Sequence, residues 1–378
     1  MSINPIDNTS LTDADMKKEM IKISTPGRVC LFGEHQDYLG LPVIASAVSK
    51  RIFVEGIFRE DQTVTIDMPD LKKSDSFSIK EKLKYRLERD YLRSSVNIVM
   101  NEGFTFSKGF DCIIKGDIPI NAGTSSSSAM IVSWINFLLN MSDQKAKLPP
   151  EKIAELAYIA EVLEFSEPGG MMDHYSTAVG GIIWLGSVPK IELRKINFKP
   201  GAFILGNSQE PKDTKFILAR VKRGVLNIAA NLKKKNPGFS LQTIPFEELK
   251  RYKDELTDEE MELLEGTVRN RDITFEAEQI LLAEKPDEKR FGRLMNEHQK
   301  VLRDVLKIST VKIDRMIEAA LNAGAYGAKI NGSGGGGCMF AYAPENTDKV
   351  LDAVKKISDE AWIVHSDEGT KIEFSGKR

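Results

Sequence analysis

The sequence predicts an α+β protein of two domains, and three observations carry that prediction. At 378 residues the chain is long for a single hydrophobic core. Up to about residue 195, strand pairs alternate with helices. Beyond that the chain turns to long charged helices, with two apolar strands bracketing a glycine run at 332–337. A hydrophobic content of 41% and a charged content of 29% are those of an ordinary globular protein.

Taken in order, residues 1–20 are polar and read as an N-terminal arm. The first domain follows over 21–197. Lys22-Ile23-Ser24 reads as a strand, Thr25 to Arg28 as a turn, and Val29 to Phe32 as a second strand. Pro42 to Ala47 is apolar, and Ile52–Phe58 with Thr63–Met68 alternate as a hairpin would. Leu92, Val96, Val99 and Met100 space a helix over Tyr91 to Glu102. The strand Asp111 to Lys115 leads into a loop of small residues from Ala122 to Ser128. From Ala129 the apolar residues Ile131, Val132, Trp134, Ile135, Leu138 and Leu139 again have helical spacing. Pro149-Pro150-Glu151 opens the next helix, since proline suits a first turn. A two-glycine turn over Glu167 to His174 and a strand from Ala178 to Leu185 close the domain.

The second domain spans 198–378. It begins with a strand near Phe203 to Gly206. Helices are expected near 214–235, 245–255, 257–270, 271–284, 287–306 and 311–323. Strands Ala328–Asn331 and Cys338–Ala343 flank the glycine run, and a helix near 346–358 precedes a last strand over Trp362 to His365.

Composition excludes some partners. Net charge is −2, from 53 basic and 55 acidic residues, which gives no electrostatic reason for nucleic acid or an acidic membrane surface. Cys30, Cys112 and Cys338 are odd in number and far apart, the pattern of buried free thiols in a reducing compartment. The first twenty residues do not form a signal peptide, and no run is long enough to span a membrane. These features predict a cytoplasmic protein; they leave its oligomeric state open.

Three stretches carry chemistry. Gly116 to Asn140 is a small, polar loop feeding the N-terminus of an apolar helix, where free N–H groups and the helix dipole favour an anion. It is either a phosphate cradle or a serine-rich N-cap, and it is not a Walker loop, because no Gly-Lys-Ser/Thr follows. Gly27 to Tyr38 gathers Arg28, Glu34, His35, Asp37 and Tyr38 around a glycine turn, which is either a hydroxyl-binding set or a charged connection. Gly332-Ser333-Gly334-Gly335-Gly336-Gly337 is longer than a two-residue hairpin turn and allows close backbone approach to a ligand; the alternative is a flexible surface turn.

In this order the stretches resemble the GHMP kinases. Pro119, Gly123 and Ser125 to Ser127 match the family's second motif, and Gly327-Ala328-Lys329 through Cys338 its third. Pro26-Gly27-Arg28 with Gly33 to Tyr38, and Gly170-Met171-Met172-Asp173, are similar to segments of the galactokinase branch. The resemblance implies the two-domain GHMP kinase fold with its active site between the domains, and transfer of the γ-phosphoryl group of ATP to a sugar hydroxyl. It implies that Asp173 accepts or orients the proton of that hydroxyl, with Arg28 beside it. Glu34, His35, Asp37 and Gly170 would bind the sugar. Gly123, Thr124, Ser125, Ser126 and Ser127 would hold the phosphates, with Gly334, Gly335 and Gly336 closing over them. Mg2+ would be held by Ser127 and Glu161, the latter twelve residues before Asp173.

The departures cluster around the sugar. Cys30, Phe32, Leu39-Gly40-Leu41 and His174 replace the branch's usual residues, and Ala219 stands near the position of a sugar-contacting tyrosine. His174 either contacts substrate or packs beneath its loop, while His298 and His365 read as structural. The expected acceptor is galactose or a close relative. The alternatives are another sugar (a uronate, arabinose or an N-acetylhexosamine) and a non-catalytic sensor of ATP and sugar.

Overall fold

The computed structural model describes residues 19–211 and 214–377. Most of the expected N-terminal arm lies outside them; Glu19 and Met20, assigned to that arm, instead open the first strand. β1 is one continuous strand, Glu19–Phe32, where the sequence suggested two strands and a turn. The expected turn is a register shift between Pro26 and Gly27, opposite β2 (Val43–Phe58). Proline lacks the N–H a regular ladder needs, so the chain bulges there without ending the strand. β3 (Thr63–Met68) and the polar β4 (Lys73–Ser78) form the next hairpin.

Helix α1 (Tyr91–Asn101) leads to β5 (Phe110–Gly116) and α2 (Ser126–Met141). α3 (Pro150–Tyr158) continues through a π-helical turn over Ile159–Leu163, and α4 (Met172–Val179) starts inside the segment expected to be a turn. β6 (Ile182–Gly186) and β7 (Glu192–Ile196) complete this half. β5 pairs antiparallel with β2 and parallel with β3, so the predicted hairpin of Ile52–Phe58 with Thr63–Met68 does not form. Phe110 and Cys112 are buried, which suits a strand with neighbours on both sides, and the polar β4 takes the exposed edge.

The second half begins with β8 (Ala202–Asn207) and α5 (Thr214–Lys235). Residues Phe246–Glu255 form 3-10 turns, not an α-helix. The two helices expected over 257–270 and 271–284 are a single one, α6 (Asp258–Leu282), started by a Thr257–Glu260 capping box and containing no proline. α7 (Glu288–Asp304), α8 (Val311–Asn322), β9 (Gly327–Ile330), β10 (Cys338–Tyr342), α9 (Thr347–Lys355) and β11 (Ala361–His365) follow. β8 to β11 make a four-stranded sheet in the order β11-β8-β10-β9.

A last strand, β12 (Lys371–Lys377), was not expected, although Ile372 and Phe374 alternate with Lys371, Glu373 and Ser375 as a half-buried strand does. It pairs antiparallel with β1 and so joins the first sheet, ordered β12-β1-β2-β5-β3-β4, with β6 attached to β2 and β7 to β6. A boundary at 197/198 therefore leaves one strand of the later segment in the earlier sheet. One apolar core fills the space between the first sheet and α1 to α4. A second joins the halves: Val29 and Leu31 of β1 meet Phe203, Phe291, Phe340 and Tyr342. Each such side chain contributes about 1.5–3 kcal/mol on burial, so the loops at the ends of β1, β5 and β9 rest on a firm base. The three cysteines are buried and free. No helix among the described residues is long and apolar enough to cross a membrane.

Candidate active site

A cavity of about 360 Å³ opens between the two halves. The start of α2, the loop after β1, the turn before α4 and residues Gly332 and Ser333 line it. α2 begins at Ser126, three residues earlier than its apolar pattern suggested, which puts the serines at the helix N-terminus. Ser125, just before it, has φ near 60°, a left-handed conformation that serine rarely adopts. Its hydroxyl is buried beside the Asp173 carboxylate, without a well-formed hydrogen bond. A strained serine and the free N–H groups of a helix N-terminus, both in a lined cleft, fit an anion. Ser126 and Ser127 also line the cleft; Thr124 sits behind it, with its hydroxyl on the Pro119 carbonyl at 3.3 Å.

Arg28 and Asp173 meet at the centre. Arg28 donates from Nε at 2.9 Å and from Nη2 at 2.7 Å to Asp173 Oδ1, and from Nη1 to the Gly123 carbonyl. Asp173 stands in the first turn of α4, where the helix dipole also favours a negative charge. Burial works against its ionisation most, but the Arg28 charge, the Ser125 hydroxyl and the Arg28 hydrogen bonds together outweigh it, and the carboxyl lies below its ordinary range. The result is a carboxylate ready to accept a proton-bearing group, beside a fixed cation.

The remaining polar residues of the β1–β2 loop surround one end of the cleft. His35, held at φ near 64°, bonds through Nε2 to the Ser333 carbonyl at 3.0 Å and through Nδ1 to Tyr38 Oη at 2.7 Å. The carbonyl requires a proton on Nε2, so the Tyr38 hydroxyl donates to Nδ1. Asp37 accepts the N–H groups of Met172 at 3.1 Å and Tyr38 at 2.9 Å, and burial raises its pKa. Gly170 packs against it; a Cβ there would collide with the Asp37 carboxylate. Glu34 is buried and bound to Lys329, which also donates to the carbonyls of Cys30 and Ile330 at 3.0 Å each. His298, read from the sequence as structural, is fully buried 3.7 Å from Glu34 and stacks on Phe32.

Glu161 lies on the π-helical turn, a local widening often found at functional sites, and lines the cleft with Ser127. The side chain of His174 packs on Glu161, with Nε2 to Oε2 at 2.7 Å, and is itself buried. Ser127 and Glu161 offer the oxygen donors that magnesium takes. Among the described residues no group of three His, Cys, Asp or Glu gathers around a metal. Gly334, Gly335 and Gly336 do not line the cavity. Their backbones pack on Ile308, Ile217 and Glu210 respectively, and Gly332 and Ser333 face the cleft in their stead. Of the helix carrying Ala219, Leu218 lines the cavity.

The sequence reading gave no role to Lys329, Asn331 or Arg89, and named Ser333 only within the glycine run. A lone lysine inside an apolar strand was a usable signal for the first, since a buried ammonium needs a partner. Nothing local marks the others.

An anion cradle at a helix N-terminus, facing an ion-paired carboxylate and a hydroxyl-binding set, is the layout of a phosphotransferase. The GHMP kinases N terminal domain matches residues 90–181, and the GHMP kinases C terminal domain matches 279–359. A galactokinase galactose-binding signature matches residues 15–56. The mevalonate kinase of Thermococcus sibiricus is 30% identical over 93% of this chain and 97% of its own length. The galactokinase of Mannheimia succiniciproducens is 26% identical over 90% of this chain and 89% of its own. Among solved structures, Lactococcus lactis galactokinase complexed with galactose matches with a TM-score of 0.82 at 23% identity, covering 94% of this chain and 95% of that one. The Methanococcus jannaschii mevalonate kinase matches with a TM-score of 0.70 at 21% identity, covering 92% and 98%. The chain belongs to the GHMP kinase family.

Proposed function

We propose that this kinase transfers the γ-phosphoryl group of ATP to a neutral sugar, at the anomeric hydroxyl of galactose or a close relative. The observation that carries this reading is how the charges of the cleft are paired. Both arginines lining it are bound to carboxylates: Arg28 to Asp173, and Arg89 to Glu167 through two bonds of 2.7 Å. Lys222, over the Tyr38 ring, donates to the Pro168 carbonyl at 3.2 Å. A substrate carboxylate entering the cleft needs a cation of its own, whereas hydroxyls need only donors and acceptors. Glu34, His35, Asp37 and Tyr38 supply these, and all four fall within the galactose-binding signature. An acidic sugar would bring like charge near Glu34, but Lys329 offsets this, so the case for a neutral acceptor rests on the paired arginines.

In this reading Asp173 takes or orients the proton of the attacking hydroxyl, and Arg28 stabilises charge on the transferred group. The N-terminus of α2 and its serines hold the phosphates. Magnesium, held by Ser127 and Glu161, would supply charge neutralisation on those phosphates. A second reading, mevalonate as acceptor, is favoured by the 30% identity to mevalonate kinases over nearly the whole chain. Mevalonate carries a carboxylate, and the pairing of Arg28 and Arg89 disfavours it.

The test is a coupled ADP-release assay with Mg-ATP and a panel of galactose, other neutral hexoses, arabinose, N-acetylhexosamines, uronic acids and mevalonate. The highest kcat/KM is expected with galactose or a neutral epimer. Asp173→Asn should lower turnover about 10²–10⁴-fold while nucleotide binding persists. A preference for mevalonate or a uronate, or no turnover with any sugar, overturns the reading.

A further inference from the structure

Asn331 follows β9 directly, and its side chain is fully buried against the first half of the molecule. Its Oδ1 accepts the Cys30 N–H at 2.9 Å. Its Nδ2 donates to the Gly123 carbonyl at 2.9 Å and to the Arg28 carbonyl at 3.4 Å. Its backbone N–H donates to Cys338 at 2.9 Å, anchoring the residue to the far end of the glycine run. One amide thus ties the second half to both the Arg28 strand and the serine loop.

The Gly123 carbonyl also accepts Arg28 Nη1, so two donors fill its two lone pairs. The next carbonyl, that of Thr124, accepts the Arg28 N–H at 3.2 Å. In a trans peptide the N–H points opposite to the C=O. With both carbonyls turned toward Arg28, the N–H groups of Thr124 and Ser125 are turned away from it. An anion cradle needs N–H groups facing its ligand, and a flipped peptide would present a carbonyl to the phosphates. Gly332 leaves room for this contact, since a Cβ there would stand 2.9 Å from the Gly123 carbonyl oxygen.

We infer that Asn331 is a positioning residue for phosphoryl transfer, holding the Arg28 guanidinium and the peptide planes of the serine loop in register across the two halves. Its side chain does not line the cleft, so its effect reaches the reaction through Arg28 and the serine loop. The inference holds whichever acceptor the kinase uses.

Asn331→Ala and Asn331→Asp test it, each assayed by ADP release with Mg-ATP and the acceptor that gives the fastest turnover. Asn331→Asp keeps the shape of the side chain and an acceptor for Cys30 but loses the donor to Gly123. Both variants should lower kcat about 10–100-fold, the scale of a misplaced reacting group, with acceptor KM changed less than about threefold. In an Arg28→Lys background, Asn331→Asp should have little further effect, because both act through one arrangement. Full kcat in Asn331→Asp, or a loss that simply multiplies with that of Arg28→Lys, overturns the inference. If Asn331→Ala does not fold, the Asp variant decides alone.

Discussion

Asp37 is a carboxylate that the fold holds at a disadvantage. Burial raises its pKa more than the N–H groups of Met172 and Tyr38 lower it, and nearby Asp173 adds to the rise. Well below the unfolded carboxyl pKa of about 3.9, both states are protonated and the shift has no effect on stability. As pH rises through that value the unfolded chain loses its proton first, so the folded state is increasingly disfavoured until the raised folded pKa is passed. Asp37→Asn removes this penalty. The melting temperature of the variant relative to the unsubstituted chain should therefore be higher at pH 8 than at pH 4, by thermal melts across that range. The same substitution should raise acceptor KM. A flat difference between the two chains would show that Asp37 titrates like a solvated carboxyl.

At the scale of elements, the turn before α4 does more than deliver Asp173. Gly170 lets the turn close on the Asp37 carboxylate, which in turn accepts the Met172 N–H at the start of the helix. The acceptor-binding loop and the helix bearing the central carboxylate are thereby fixed to each other. Gly170→Ala should displace Asp37 and remove that bond, a loss of about 1 kcal/mol. We expect acceptor KM to rise about tenfold, the equivalent of about 1.4 kcal/mol, with KM for ATP nearly unchanged. Steady-state kinetics with each substrate varied in turn checks this. Part of this arrangement was legible beforehand: the Arg28–Asp37 loop as a local polar cluster, and Gly170 and Asp173 through the family resemblance. The helical start at Met172 was not, since two glycines and a proline just upstream outweighed the apolar spacing that follows.

For the molecule as a whole, Lys329 and Glu34 form a buried ion pair between β9 and the loop after β1. Lys329→Met leaves Glu34 buried without its counter-ion and should lower stability by about 3–5 kcal/mol in urea denaturation. Adding Glu34→Gln removes the unpaired charge and should recover most of that loss, although acceptor binding stays impaired. Recovery would separate the cost of a stranded charge from lost packing. The partners are 295 residues apart in the chain, so no local pattern joins them. The same distance hid Asn331, whose partners lie 208 to 303 residues away.

Asp173 entered only through the family resemblance; the sequence by itself determined the α+β character, the serine loop at the start of α2, and the residues Arg28, Glu34, His35 and Asp37 as one polar set. Each is encoded by side-chain type and spacing within a few turns of chain, where propensity and pattern act. The tertiary structure alone decided that β5 separates β2 from β3, that β12 returns to the first sheet, and that Gly332 and Ser333, not Gly334 to Gly336, face the cleft. It alone paired Lys329 with Glu34 and set Asn331 on the Gly123 carbonyl. These choices depend on which surfaces are left to bury and which polar groups are left to satisfy once distant segments meet, and that is a property of the assembled core.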